Sequence, residues 1–464
     1  MLARASSFIA QKLRLWIPDP FVFALGLTLI IGVLAAAVSH ATPFNVVESW
    51  YRGFWILLEF GMQAILMLTT GYAIALSPIV RKLMGWFSQH ANGPAAVYCI
   101  VVFVGGLFAL VSWGWGVMSA ILARELSRGV KGIDYAYLTA CVYLAGSPWV
   151  CGLSSSIPLL LNTENNFLIE TGVLQSTVSV STTLGSTLNL TYMALYLLFF
   201  PLLMVWMRPS FSQAKSVEEM LEPEAAKQQP VIDEAATLSL PGNPPSDRAN
   251  TSKLLQFLIV VCGFWYIGQY FTARGFDLNL NIMIFVFIML GMLVHQTPIR
   301  YVVAMKRACG NVSGIIFQYP FYAGIMGIMM FTGLGETISL WMATQASVST
   351  LPVIAQFAGA VVNFAIPSAG GEWAVIGPAL TETAKTLTVD LSPGEREAFI
   401  ARIAMAVAYG ETSTNLLQPF FLLVILPVMG AGVQIQARDV MGYLAIPFLF
   451  STVFTAVLVT WAPI

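Results

Sequence analysis

Apolar runs of roughly 20 residues recur along nearly the whole chain, separated by short polar or Gly/Pro-rich breaks. A helix needs about 20 apolar residues to cross the hydrocarbon of a bilayer, so the pattern predicts an all-α polytopic membrane protein. Crossings are expected at Ile17–Val38, Phe54–Leu76, Tyr135–Leu161, Leu188–Met207, Leu254–Phe271, Asn281–Val294, Gly314–Gly333, Phe399–Met429 and Tyr443–Trp461. The first run follows Arg4, Lys12 and Arg14. It is long for a signal peptide and more spans follow, which reads as a retained first helix.

Two segments do not read as simple crossings. Residues 95–128 carry Arg81 and Lys82 on one side and Arg124, Arg128 and Lys131 on the other. Positive charge marks the cytoplasmic side, so a segment flanked by it at both ends reads as a re-entrant hairpin. Its tip falls at Ser112–Gly116. Residues 351–386 form a matching hairpin with its tip at Ser368–Glu372. Two crossings are also expected to break mid-membrane, at Gly152–Pro158 and at Gly410–Pro419, because proline removes a backbone donor and glycine weakens a helix.

The halves correspond. Phe108-Ala109-Leu110-Val111-Ser112-Trp113-Gly114 aligns with Phe364-Ala365-Ile366-Pro367-Ser368-Ala369-Gly370, Gly152 with Gly410, and Gln63 with Gln318, at nearly one spacing. The expected organisation is a first repeat over 1–208 (four spans plus the hairpin at 95–128) and a flexible cytoplasmic linker at 209–253. A bridging span at 254–271 and a second repeat over 276–464 (four spans plus the hairpin at 351–386) complete it. The linker holds 11 charged residues and six prolines, a composition that does not build a core. Arg300, Lys306, Arg307 and Arg438 lie inside if the second unit runs opposite to the first. That puts the N-terminus in the cytoplasm and the C-terminus in the periplasm. Inverted-topology repeats with broken helices at matching positions point to a transporter whose site lies at the repeat interface.

Composition narrows the class. Of 464 residues, 57% are hydrophobic and 10% charged, with net charge −1 and mean hydropathy +0.77; soluble domains carry about 25% charge. The near-zero net charge argues against nucleic acid as a partner. Cys99, Cys141, Cys151, Cys262 and Cys309 are scattered without paired spacing, and His40, His90 and His295 sit alone near helix ends as interfacial residues. No disulfide, zinc site or organic cofactor is expected. No HExxH motif occurs and no Ser/His pair lies in the breaks, so the chain does not read as an enzyme.

Polar irregular chain at lipid depth survives only against protein or a water-filled cavity, and an ionisable residue there is a functional candidate by default. Substrate contacts are therefore assigned to Ser112, Gly114 and Gly116 at the first tip, and to Ser154, Ser155 and Ser156 at the first break. Ser368, Gly370 and Gly371 at the second tip and Thr412, Ser413, Thr414 and Asn415 at the second break complete the set. The bland reading of each Ser/Thr run is helix packing; four runs at matched positions favour a site. Glu372 and Glu411 are the ion-coupling candidates, against a structural reading in which they cap helices and a third in which they are exposed to bulk water. No metal is expected beyond Na⁺ at the Gly152–Pro158 and Gly410–Pro419 breaks. Helix starts at such breaks suit an anion, and carbonyl-rich helix ends suit Na⁺.

Several stretches resemble the bacterial short-chain fatty acid transporter family. They are Gln318-Tyr319-Pro320-Phe321-Tyr322-Ala323-Gly324-Ile325-Met326-Gly327, Pro367–Val375, Thr414-Asn415-Leu416-Leu417-Gln418-Pro419-Phe420, Thr70-Gly71-Tyr72-Ala73 and Gly152–Leu159. The family usually shows Gln where this chain has Glu372, and an Asp followed by Ser-Trp-Thr-Asn where it has Glu411-Thr412-Ser413-Thr414-Asn415. The resemblance implies an elevator-type fold of the ion transporter superfamily in the bacterial inner membrane. It implies uptake of butyrate- or acetoacetate-like monocarboxylates by Na⁺- or H⁺-coupled symport. The alternative is a carrier for a related dicarboxylate or other small organic anion. Elevator relatives are often dimers, which makes a homodimer the assembly to test.

Overall fold

A computed structural model of the chain describes residues 20–55, 58–79, 82, 92–111, 115–153, 155–162, 166–170, 172–210, 214, 217–220, 231–240, 242, 244–275, 280–310, 312–364, 367, 369–430 and 432–461. Among these residues the regular structure is helical, with no strand. Five segments are long and apolar enough to cross a membrane: Pro94–Val111, Tyr135–Leu161, Thr187–Met207, Pro245–Arg274 and Ala437–Trp461.

The first half runs α1 (Pro20–Val38), α2 (Pro43–Gly53), α3 (Leu58–Ala75), α4 (Pro94–Val111), α5 (Trp115–Gly129), α6 (Tyr135–Ala145), α7 (Ser156–Leu161) and α8 (Thr187–Met207). A short helix, α9 (Val231–Thr237), lies in the linker, and α10 (Lys253–Arg274) leads on. The second half runs α11 (Leu280–His295), α12 (Pro298–Cys309), α13 (Ser313–Phe331), α14 (Leu334–Ala343), α15 (Leu351–Val362), α16 (Ala369–Leu387), α17 (Pro393–Asn415), α18 (Leu422–Met429) and α19 (Ala445–Trp461).

Local sequence sets many helix starts. Thr42, Asp134, Ser186, Ser252 and Ser392 each accept the N–H of the residue three further on, which satisfies one of the free donors of a first turn. Pro43, Pro298 and Pro393 stand at helix starts, where the missing N–H costs nothing. One continuous hydrophobic core draws on both halves. Leu29, Trp265 and Trp461 remain largely exposed on α1, α10 and α19, as expected of faces turned to lipid.

At the positions of the two expected hairpins the chain forms packed helix pairs. α4 and α5 fold back on each other: a Cβ built on Gly105 would lie 2.8 Å from Ser119 Oγ. α15 and α16 do the same around Gly359 and Glu372. The first broken crossing also forms. α6 ends at Ala145, a 3₁₀ turn spans Ser147–Cys151, and α7 starts at Ser156.

Three expectations are corrected. The second break does not begin at Gly410, because α17 runs unbroken through Asn415 and the irregular stretch is 416–421. Ser413 and Thr414 return their hydroxyls to the carbonyls of Tyr409 and Gly410, so they stay within the helix rather than opening it. The linker is not wholly flexible. Val231 and Ala235 of α9 are buried with Ala73, Val303 and Ala304, and Glu234 pairs with Arg307 of α12. His295 is no interfacial residue: it is buried at the end of α11 with Nε2 2.7 Å from the carbonyl of Ala73. The sequence reading also had no place for α2 and α12, which are amphipathic and too polar to read as spans.

Candidate functional site

The site is built where the two hairpins meet the two interrupted crossings. Of the predicted residues, Ser112, Gly114, Ser154 and Ser368 lie outside the described residues. The others can be placed one by one.

Trp115 and Gly116, at the start of α5, are buried. The Trp115 ring fills the space beside Gly146: a Cβ there would lie 1.9 Å from the indole. Leu153 N–H donates to the carbonyl of Leu110 at 2.8 Å, which pins the extended stretch after the 3₁₀ turn to the end of α4. The first hairpin and the first break are thus one packed unit. Ser155 is buried just before α7, and Ser156 opens that helix half-buried.

The second unit is tighter. Gly410 carries no side chain because α15 passes there: a Cβ would lie 1.9 Å from the carbonyl of Gln356. Asn363, at the end of α15, donates through Nδ2 to the Glu411 carbonyl at 3.0 Å, Thr414 Oγ1 at 2.9 Å and Asn415 Oδ1 at 2.8 Å. Gln418 Nε2 donates to Asn415 Oδ1 at 2.7 Å. The hairpin end and the broken helix are therefore laced together by side-chain amides.

The two units join across the halves. Thr412 Oγ1 donates to the carbonyl of Ser147 at 2.6 Å. The Tyr143 hydroxyl lies 2.6 Å from the carbonyl of Asn415 and 2.9 Å from that of Gln418. The first is a carbonyl at the end of α17 and the second lies in the irregular stretch beyond it; both need donors from outside the helix. The far end of α18 is closed in the same way, by Arg124 on the Val428 carbonyl at 2.6 Å and Tyr135 on the Met429 carbonyl at 2.8 Å.

Glu372 and Glu411 are fully buried, and none of their four carboxylate oxygens has a hydrogen-bond partner among the described residues. Asn415 sits beside the Glu411 carboxyl, yet no donor meets it in hydrogen-bonding geometry. A carboxylate that capped a helix start would accept a backbone N–H; Glu372, in the first turn of α16, accepts none. The capping reading of these two residues is therefore set aside. Burying a charge without partners is costly, so this arrangement calls for a positive charge or a proton.

The remaining predicted residues divide. Thr412, Thr414 and Asn415 face the junction, and Gly371 is buried behind it. Gly370 has open space where a Cβ would be. Ser413 lies 2.9 Å from Ser451 of α19 and serves packing. Three residues of the junction were missed: Tyr143, Asn363 and Gln418. Gln418 lies inside the recognised motif and Asn363 just before a hairpin tip, which are usable signals; Tyr143 in its apolar run gives none.

The family model described as short chain fatty acid transporter matches residues 1–461. A provisionally named short-chain fatty acid transporter of Escherichia coli (strain K12) is 36% identical over 454 residues, 98% of each chain. A relative of the same provisional name from Haemophilus influenzae (strain ATCC 51907 / DSM 11121 / KW20 / Rd) is 33% identical over 456 residues, covering 97% of this chain and 98% of its own. Among solved structures, the Alcanivorax borkumensis YdaH transporter aligns over 96% of this chain and 98% of its own at 16% identity, with TM-score 0.43. Neisseria gonorrhoeae MtrF aligns over 96% and 95% at 13% identity, with TM-score 0.41. Those two scores are too low to carry an arrangement from either protein to this one. The sequence matches span the hairpins, the breaks and the junction between them, and by them this transporter, which is not an enzyme, belongs to the short-chain fatty acid transporter family.

Proposed function

We propose that the chain is a secondary active carrier that takes up short-chain monocarboxylates of the butyrate or acetoacetate kind by cation-coupled symport. The supporting observation is the junction at Thr412 and Ser147, where the last turn of α17 from the second half meets the 3₁₀ turn of the first, with Glu372 and Glu411 both buried. In this reading the polar groups at 112–116, 154–156 and 368–371, with Thr412, Thr414 and Asn415, receive the substrate carboxylate. Glu372 and Glu411 take the coupling ion, Na⁺ or H⁺. The halves act as inverted repeats, and the hairpins with their broken helices move as one body against α1, α2, α3, α11 and α13 in an elevator motion. The protein sits in the inner membrane as a homodimer, N-terminus in the cytoplasm and C-terminus in the periplasm.

A carrier for a related dicarboxylate is the second reading. A dianion would call for fixed positive charge at the junction, and none of the residues named there is basic, which favours the monoanion.

The test is radiolabelled butyrate uptake into proteoliposomes under separately imposed Na⁺ and H⁺ gradients. Saturable, gradient-driven accumulation is expected, and Glu411→Gln should abolish accumulation while leaving the protein folded. Uptake that never saturates would indicate a channel. Saturable transport of a dicarboxylate alone would favour the second reading.

A further inference from the structure

The carboxylates do not stand alone in lacking donors. Asn363 Oδ1 and Gln418 Oε1 are also buried without a hydrogen-bond partner. With the four oxygens of Glu372 and Glu411, the junction holds six unpartnered acceptor oxygens. The amide nitrogens of both side chains are already used on other acceptors. The imbalance at these four side chains is therefore one-sided: each of their unfilled valences is an acceptor. Hard monovalent cations take oxygen ligands of this kind, and protons supply the missing donors on carboxylates.

The geometry brings the two carboxylates into one unit. A Cβ on Gly359 would lie 2.7 Å from Glu372 Oε1 and 2.6 Å from the carbonyl of Val407. The bare face of α15 thus lets the α16 carboxylate reach the backbone of α17 one turn before Glu411. Val407 and Glu411 share a helix face at a spacing of four. Nothing basic offsets the pair. α7, α13, α15 and α19, packed around α16 and α17, carry no Asp, Glu, His, Lys or Arg. Tyr143, Tyr322 and Tyr409 bring only phenols. Glu336 of α14 and the Glu382–Lys385 pair of α16 are turned away: Glu336 and Glu382 line an outer cleft of about 740 Å³, and Lys385 reaches out to the carbonyl of Val173. Arg402 lies nine residues back along α17, about 13 Å by helical rise.

We infer that this pocket takes up at least two monovalent cations before the monocarboxylate, so that each turnover carries net positive charge inward. The inference rests on the carrier reading above and adds an order of binding and a minimum stoichiometry. A monoanion entering the empty pocket would meet two uncompensated negative charges in dry surroundings. With one cation present the pocket would still repel it; with two the pocket is neutral. The positive charge comes from Na⁺ or from protons, and the two sources are separable.

The experiment measures butyrate uptake into proteoliposomes at zero and at inside-negative potential, once with a Na⁺ gradient and once with a proton gradient. In one of the two arms, the wild type is expected to be faster at inside-negative potential and to depend on the ion more steeply than first order. Glu372→Gln removes one charge and is expected to give first-order ion dependence and uptake indifferent to potential. Wild-type uptake indifferent to potential in both arms would overturn the inference. If the wild type moves no butyrate at all, the carrier reading for this acid has failed, and a second measurement decides. The thermal midpoint of the purified protein is followed as Na⁺ is raised at fixed pH and as pH is lowered at fixed Na⁺. One titration should raise the wild-type midpoint well above that of the Glu372→Gln/Glu411→Gln double variant. Equal responses in both proteins would overturn the inference without reference to any substrate.

Discussion

Thr412 donates its hydroxyl to the carbonyl of Ser147 at 2.6 Å, and both residues are buried. One belongs to the last turn of α17 in the second half, the other to the 3₁₀ turn that interrupts a crossing of the first. A single hydroxyl thus ties the last turn of α17 to the interrupted crossing of the first half. Replacing it with the near-isosteric Thr412→Val leaves the carbonyl without that donor, at an expected cost of about 1–3 kcal/mol. Thr412→Ser keeps the donor. The measurement is the unfolding midpoint in detergent beside the uptake rate. Equal midpoints for Val and Ser would mean that the bond does not hold the halves in register.

Tyr143 offers one proton to two carbonyls, one at the end of α17 and one in the irregular stretch beyond it. Tyr143→Phe removes the only polar atom of the side chain and preserves its packing. We expect a loss of about 1–3 kcal/mol in stability, with uptake reduced beyond what the lower amount of folded protein explains. Initial rates per folded molecule, with the folded fraction read by size-exclusion chromatography, check this. An unchanged specific rate would restrict Tyr143 to a structural role.

Gly410 and Gly370 make a matched pair of tests. A methyl group on Gly410 would fall 1.9 Å from the Gln356 carbonyl, so α15 and α17 must move apart. Gly410→Ala should therefore lower the yield of folded protein sharply. Gly370 faces open space, and Gly370→Ala should fold normally. Its uptake then reports whether the second tip touches substrate. Normal folding of Gly410→Ala would mean that the two helices are not held this closely.

Deleting residues 231–237 should destabilise the protein, because it uncovers Ala73, Val303 and Ala304. Glu234→Ala alone should cost little, since partly exposed ion pairs are worth about 0–1 kcal/mol. Thermal midpoints of the two variants check the contrast. A deletion as mild as the point change would return the segment to a passive tether.

Much of this was legible from order and composition. The long apolar runs, the two hairpins, the break after α6 and the carboxylates at 372 and 411 all follow from local chemistry. Apolar length, proline, glycine and isolated charge act on the chain where they stand. Hydroxyls are ambiguous in the same local view. Ser413 and Thr414 satisfy themselves on carbonyls four residues back, so a run that could open a helix stays inside one.

Partnership across distance belonged to the tertiary structure. The sequence by itself determined a polytopic helical protein with two interrupted crossings and acids at unusual depth. Only the packed fold decided that Asn363 laces α15 to α17, that Tyr143 closes the end of α17, and that α9 docks on α12. It also decided that Glu372 and Glu411, on the packed helices α16 and α17, are both buried with no hydrogen-bond partner among the described residues. The reason is physical: apolarity and helix propensity are properties of single residues and their neighbours in sequence. Whether a buried oxygen has a donor depends on which distant backbone or side chain the fold brings within about 3 Å.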